Sequence, residues 1–115
     1  MRRGEVYLVD LDPTVGSESN KLRPAVLVSN DAANRAAERD RRGVVTVVPV
    51  TSNTARVYAF QALIAAGDGG LAVDSKAQAE QVRSIDVARL RKRVGIVKAD
   101  TLRRLDDALR VHLAL

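Results

Sequence analysis

Cysteine is absent from this chain of 115 residues, and histidine occurs only once, as His112. Without cysteine the chain has no disulfide, no thiolate metal ligand and no thiol nucleophile, which fits a reducing cytoplasm, and we predict that location. His112 lies near the apolar stripe of a predicted helix, which favours a structural or interface role for it. Any chemistry must therefore use hydroxyl, carboxylate and guanidinium groups, and we expect neither a cofactor nor a metal.

Aromatic residues are few, and no apolar run is long. Tyr7, Tyr58 and Phe60 are the three aromatic side chains, so the capacity for stacking on bases is limited, and rings on predicted strands are expected in the core. The apolar runs are too short for a membrane-spanning helix or a signal peptide. We therefore predict no membrane association.

The size and charge of the chain further restrict the class of protein it can be. With 115 residues, of which 46% are hydrophobic, the chain is expected to form one domain over residues 1–115 with a modest core that oligomerisation would help to stabilise. The net charge of +5 comes mainly from arginine, whose planar fork suits phosphate. This charge favours a nucleic-acid partner over an acidic protein or a membrane. The alternative is that the basic residues form an ordinary solvated surface, and the same alternative applies to the arginine cluster at 39–42.

The hydrophobic pattern predicts many short strands and one terminal helix. Strands are predicted at 4–11, 24–29, 44–50, 57–65, 76–83 and around Gly95, with a short helix at 32–38. The most hydrophobic strand, 44–50, is expected at the centre of the sheet. From Asp100 or Thr101 onward, Leu102, Leu105 and Leu109 recur at helical spacing. These elements predict a mainly β fold, a small antiparallel barrel closed by a C-terminal amphipathic helix.

Polar residues cluster where these strands end. Gly16, Ser17 and Glu18 lie in a long loop before Arg23, and Thr51 directly follows the most buried strand. Long loops in small domains are usually functional. For each residue alone, an ordinary turn or a surface ion pair between Glu18 and Arg23 is the simpler interpretation. Together they form a candidate site.

At these positions the chain resembles the MazF/PemK family of bacterial toxin endoribonucleases, and the resemblance covers nearly the whole chain. The shared motifs follow in order: RGEVY (3–7), DLDP (10–13), GSE (16–18), RPAVLVS (23–29), VVPVTS (47–52), AEQVRSI (79–85) and RVGIV (93–97). The resemblance implies an SH3-like barrel of antiparallel strands. It also implies the toxin of a type II toxin–antitoxin module, a homodimer inhibited by a cognate MazE-like antitoxin.

The implied reaction is metal-independent cleavage of single-stranded RNA at a short recognition sequence. The ribose 2′-hydroxyl attacks the adjacent phosphorus, leaving a 2′,3′-cyclic phosphate and a 5′-hydroxyl. By analogy with the family, Arg23 and Thr51 are the principal catalytic residues, and Glu18 matches an acidic position. A guanidinium is a poor base, so Arg23 is interpreted as the charge clamp on the transition state and Thr51 as orienting the phosphate. Glu18 is the hypothetical base, or alternatively it positions Arg23.

Recognition of the RNA is expected from polar side chains on the loops. The candidates are Ser17, Asn20, Lys21, Ser52, Asn53, Gln78, Gln81 and Arg83. Two other functions stay open at this point: a gyrase-inhibiting toxin of the CcdB type, which shares the barrel architecture, and a basic barrel that binds RNA without cleaving it.

Overall fold

The computed structural model describes residues 1–11 and 22–115, and within them the chain forms seven strands, two α-helices and three 3₁₀ turns. The strands are β1 (Glu5–Asp10), β2 (Leu22–Leu27), β3 (Val44–Thr51), β4 (Gln61–Ile64), β5 (Ser75–Gln78), β6 (Arg83–Asp86) and β7 (Leu90–Ile96). The helices are α1 (Asp31–Asp40) and α2 (Ala99–Leu113), and the 3₁₀ turns are Asp68–Gly70, Ala79–Gln81 and Val87–Arg89.

All strand pairs are antiparallel, and β3 lies at the centre of the sheet. The hydrogen-bonded order is β4-β5-β3-β2-β1-β7, and β6 pairs with the first half of β3. The prediction of a mainly β, SH3-like fold with a C-terminal helix is confirmed. The hydrogen-bonded path through the described strands is not closed into a ring, since β4 and β7 form its two ends.

Two predicted strands differ in the structure. The segment 57–65 is strand only at Gln61–Ile64, so Tyr58 and Phe60 lie on the loop before it. The segment 76–83 is divided by the turn Ala79–Gln81, whose Ala79 is fully buried. This turn lets β5 pair with the end of β3 while β6 pairs with its beginning. One continuous strand could not change register against β3 in this way.

The core fills both faces of the sheet, because alternate residues of a strand point to opposite sides. Val26 and Val48 belong to a cluster that α2 covers with Leu105. Their neighbours Leu27 and Val47 belong to the opposite cluster, which includes Ala37 of α1. Burial on both faces explains why β3 reads as an almost continuous hydrophobic run.

Helix α2 is capped from a distant part of the chain. Lys98, at its N-cap position, makes no side-chain capping bond. Instead the Asp68 carboxylate accepts hydrogen bonds from the Lys98 backbone amide at 2.9 Å and from the Thr101 hydroxyl at 2.5 Å. Asp68 is only 7% exposed, so a buried carboxylate satisfies donors that the first helical turn leaves free.

Candidate active site

Arg23 and Thr51 lie on adjacent strands and line the same cleft. Ala25 of β2 pairs with Pro49 of β3, and two residues further along each strand this register brings Arg23 opposite Thr51. Directly opposite residues of an antiparallel pair project from the same face of the sheet. The cleft has a volume of about 480 Å³ and is lined by Leu22, Arg23, Pro24, Val50, Thr51, Ser52, Leu71, Ala72, Val73 and Ser75.

The two strands place these side chains firmly because a nearby residue on each strand is buried. Ala25 on β2 and Val50 on β3 are almost inaccessible to solvent, whereas Arg23 is exposed and Thr51 half-buried. The Thr51 hydroxyl oxygen accepts a hydrogen bond from the Asn53 amide at 3.2 Å, and a hydroxyl that accepts in this way can still donate its own hydrogen. A fixed cation and a hydroxyl donor on one wall suit a phosphate group.

The structure brings only some of the predicted recognition residues to this cleft. Ser52 lines it, and Asn53 follows on the exposed loop, where its side chain accepts a hydrogen bond from the Ala55 amide at 3.3 Å. Gln81 is exposed at the end of a 3₁₀ turn and is not among the lining residues. The predicted residues Ser17, Glu18 and Lys21 lie outside the described part of the chain.

Two arginines of β6 and the following turn hold the end of β1. The Arg83 guanidinium donates to the Leu11 carbonyl at 3.0 Å, and Arg89 donates to the Asp10 carbonyl at 3.1 Å. Arg83, a predicted reader of RNA, thus also has a structural contact. Within the cluster 39–42, Arg39 pairs with Asp40 at 3.0 Å on the surface, which is the solvated arrangement considered as the alternative.

Lys76 is a residue near the cleft that sequence reasoning did not single out. It lies on β5 directly opposite Thr51 and is only 8% exposed. The ladder therefore places Arg23, Thr51 and Lys76 in one row across β2, β3 and β5. The alternating pattern at 76–83 predicted that Lys76 lies on a strand, but it did not indicate whether the lysine is buried or exposed.

An ion pair with one buried partner lies away from the cleft, where the buried Glu5 of β1 meets the half-exposed Arg93 of β7. Burial alone would raise the pKa of the Glu5 carboxyl. Hydrogen bonds from the Arg93 side chain and the Arg2 amide, together with the positive charge of Arg93, outweigh burial, so the pKa lies below its ordinary value. These contacts hold the carboxylate ionised.

Neither α1 nor α2, nor any other helical segment in residues 1–11 and 22–115, has the length and apolar character required to cross a membrane. His112 is exposed near the end of α2.

The antiparallel sheet with its terminal helix and basic cleft corresponds to a known class of bacterial toxins. The sequence model of the family described as "PemK-like, MazF-like toxin of type II toxin-antitoxin system" matches residues 2–113. The chain therefore belongs to this toxin family, as its motifs predict.

Individual relatives agree with this assignment. Endoribonuclease MazF9 of Mycobacterium tuberculosis is 61% identical over 115 residues, which is 100% of this chain and 98% of the relative. Among solved structures, a MazE–MazF crystal structure from Deinococcus radiodurans is similar with a TM-score of 0.80 and 26% identity, covering 100% of this chain and 96% of that one. An endoribonuclease in complex with its cognate antitoxin, from a Mycobacterial species, is similar with a TM-score of 0.77 and 25% identity, covering 100% and 96%.

Proposed function

We propose that this chain is the endoribonuclease toxin of a type II toxin–antitoxin module and that it cleaves single-stranded RNA at the cleft between β2 and β3. The observation that carries the proposal is the placement of Arg23 opposite Thr51 in that cleft. The 61% identity to an endoribonuclease over the whole chain supports the same activity. A gyrase-inhibiting barrel or a non-catalytic RNA-binding barrel would not require this pair, and neither alternative is favoured.

The reaction is a transesterification at phosphorus within the RNA chain. The 2′-hydroxyl loses its proton and attacks the neighbouring phosphorus, the bond from phosphorus to the 5′-oxygen breaks, and that oxygen gains a proton. The products are a 2′,3′-cyclic phosphate and a 5′-hydroxyl. The step requires a proton acceptor, a proton donor and positive charge on the phosphorane.

Arg23 supplies the positive charge in this mechanism. Its guanidinium stays protonated and presents several donors in a fixed fork, so it binds the non-bridging oxygens as negative charge grows on them. The Thr51 hydroxyl donates to the same phosphate and orients it for in-line attack. Glu18, in the motif at 16–18, is proposed as the base that accepts the 2′-hydroxyl proton.

The partners follow from the charge and the exposed apolar surface. A net charge of +5 favours RNA and also an acidic antitoxin segment that occupies the same cleft and blocks it. Val111 and Leu113 of α2 are about half exposed, which supports the burial of this surface in a homodimer. We assign residues 1–115 to a single toxin domain, acting on cytoplasmic RNA.

Cleavage of a defined transcript in excess EDTA, followed by mapping of the new ends, tests the proposal. We expect cleavage at a short recurring sequence with 5′-hydroxyl and cyclic phosphate ends, and its loss in Arg23→Ala and Thr51→Ala. No cleavage by the native protein, or undiminished cleavage by both variants, would overturn the proposal. A Glu18→Gln variant that cleaves normally with an unchanged pH profile would remove Glu18 as the base.

A further inference from the structure

An exposed aromatic stack lies on the loop that follows Thr51. Tyr58 and Phe60 have ring centroids 5.1 Å apart and ring planes within 3° of parallel. The Tyr58 side chain is 44% exposed, contrary to the expectation that aromatic rings on a strand would lie in the core. Two of the three aromatic residues of this chain therefore form a stack whose outer ring is accessible.

Two cationic groups, from Arg56 and Lys76, lie over the Tyr58 ring. The Arg56 guanidinium donates to the Tyr58 hydroxyl oxygen at 3.2 Å, and its Cζ atom is 6.0 Å from the ring centroid. The Lys76 ammonium is also 6.0 Å from that centroid. An aromatic face beside positive charge is the arrangement by which proteins bind unpaired nucleotides, with the ring against the base and the cations near the backbone.

Lys76 connects this ring to the proposed catalytic strand. A buried ammonium is costly unless it is hydrogen-bonded, and Lys76 donates to the Arg56 backbone carbonyl at 2.6 Å. Since Lys76 is also the cross-strand partner of Thr51, it joins the loop carrying Tyr58 to the end of β3. At the other end of the loop, the Tyr58 amide donates to the Gln61 side chain at 3.2 Å.

We propose that the exposed ring of Tyr58 is a stacking site for one unpaired RNA base, and that Lys76 is the positioning residue that holds this site beside Thr51. The inference rests on the proposed RNA substrate and adds to it a base-binding site on the loop. The base stacked there belongs to a nucleotide close to the one whose phosphate lies at Arg23 and Thr51, because Thr51 and Lys76 are direct neighbours across the ladder.

Binding to RNA that cannot be cleaved tests the stacking site independently of catalysis. The probes are fluorescein-labelled 2′-O-methyl homopolymers of A, C, G and U and an abasic 2′-O-methyl oligonucleotide of the same length, measured by fluorescence anisotropy. We expect the native protein to bind at least one homopolymer more tightly than the abasic chain. Tyr58→Ala should weaken binding of that homopolymer by about 5- to 150-fold, the range expected for loss of one base–aromatic stack. Binding of the abasic oligonucleotide should stay unchanged.

Matched variants separate stacking from general disruption. Tyr58→Phe keeps the ring and should keep the preference for bases, and Val57→Ala, at the neighbouring exposed position, should behave as the native protein. If Tyr58→Ala retains the full preference for bases, the stacking site is overturned. If the native protein shows that preference but cleaves no RNA, the proposed catalytic function fails while the stacking site stands.

The role of Lys76 is tested by Lys76→Met and Lys76→Arg. Lys76→Met should lose the preference for bases to the same extent as Tyr58→Ala, and the double variant should lose no more. Lys76→Arg should keep the preference. A folded Lys76→Met variant with an intact preference for bases would overturn the positioning role. If Lys76→Met does not fold, Lys76→Gln takes its place, and a folded Lys76→Gln variant with an intact preference for bases would overturn the positioning role.

Discussion

Arg23 and Thr51 occupy opposing positions on β2 and β3, and both line one cleft. They are separated by 28 positions in sequence but only by one step across the sheet, which is about 5 Å between Cβ atoms. Two donors at this spacing can contact different oxygens of the same phosphate. The division of labour between them can be measured one residue at a time.

Substitution of Arg23 tests the charge clamp. Arg23→Ala should lower kcat by about 10²- to 10³-fold, as expected for loss of a donor to a developing oxyanion. Arg23→Lys should retain part of the rate, because lysine keeps the charge but not the planar fork. The measurement is single-turnover cleavage of a fluorogenic RNA. Arg42→Ala, which removes an exposed arginine outside the cleft lining, is the control and should cleave at the native rate.

Substitution of Thr51 separates the hydroxyl from the shape of the side chain. Thr51→Val preserves the β-branched shape and should lower kcat by about 10²-fold, while Thr51→Ser should stay close to native. The hydroxyl oxygen also accepts the Asn53 amide, so the unfolding midpoint of each variant must be compared. Equal cleavage rates for Thr51→Val and the native protein would exclude the hydroxyl from the reaction.

The Glu5–Arg93 pair predicts a pH dependence of stability. The pKa of Glu5 is lowered in the folded protein, so the unfolded state binds the proton more readily. Its stabilising contribution is therefore complete above the ordinary carboxyl pKa of about 4.3 and is lost as the pH falls through the lower folded value. Urea unfolding at pH 7 and pH 3 should show a smaller loss of stability for Glu5→Gln than for the native protein. An equal loss of stability between pH 7 and pH 3 in the two proteins would contradict the prediction.

Asp68 should stabilise α2 although it lies outside that helix. Asp68→Ala leaves the Lys98 amide and the Thr101 hydroxyl without their acceptor, and we expect a loss of about 1–3 kcal/mol in the free energy of unfolding. Asp68→Asn retains one carbonyl oxygen and should lose less. Chemical denaturation followed by circular dichroism measures both, and an unchanged midpoint for Asp68→Ala would show that water replaces the cap.

The sequence predicted the fold well because local patterns determine most of it. The buried run of β3, the short helix α1 and the apolar stripe of α2 are all visible in the chain. The strand predicted around Gly95 is present as β7. A Cβ atom at position 95 would lie 2.6 Å from the Gly69 carbonyl oxygen, so the two segments pack closely there. This close approach between distant segments is not visible in a local pattern.

The site was only partly predictable. Motif order pointed to Arg23 and Thr51, but their opposition depends on the register of two strands separated by α1. The positions of Tyr58 and Lys76 depend on where β4 and β5 begin, and hydrophobic patterns define strand ends poorly. The alternating pattern extended the strand over Tyr58 and so predicted the wrong environment for its ring.

The pairing of Asp10 with Leu22 has a consequence for how this toxin can change its target. Asp10 and Leu22 occupy the same rung of the ladder between β1 and β2, and Arg83 and Arg89 donate to the backbone carbonyls of Leu11 and Asp10. We therefore expect β1 and β2 to keep their register when residues 12–21 are exchanged or altered in number. If segments transplanted from relatives at this point alter which RNA sequences are cut while Arg23 and Thr51 stay in place, specificity and catalysis would be able to evolve separately.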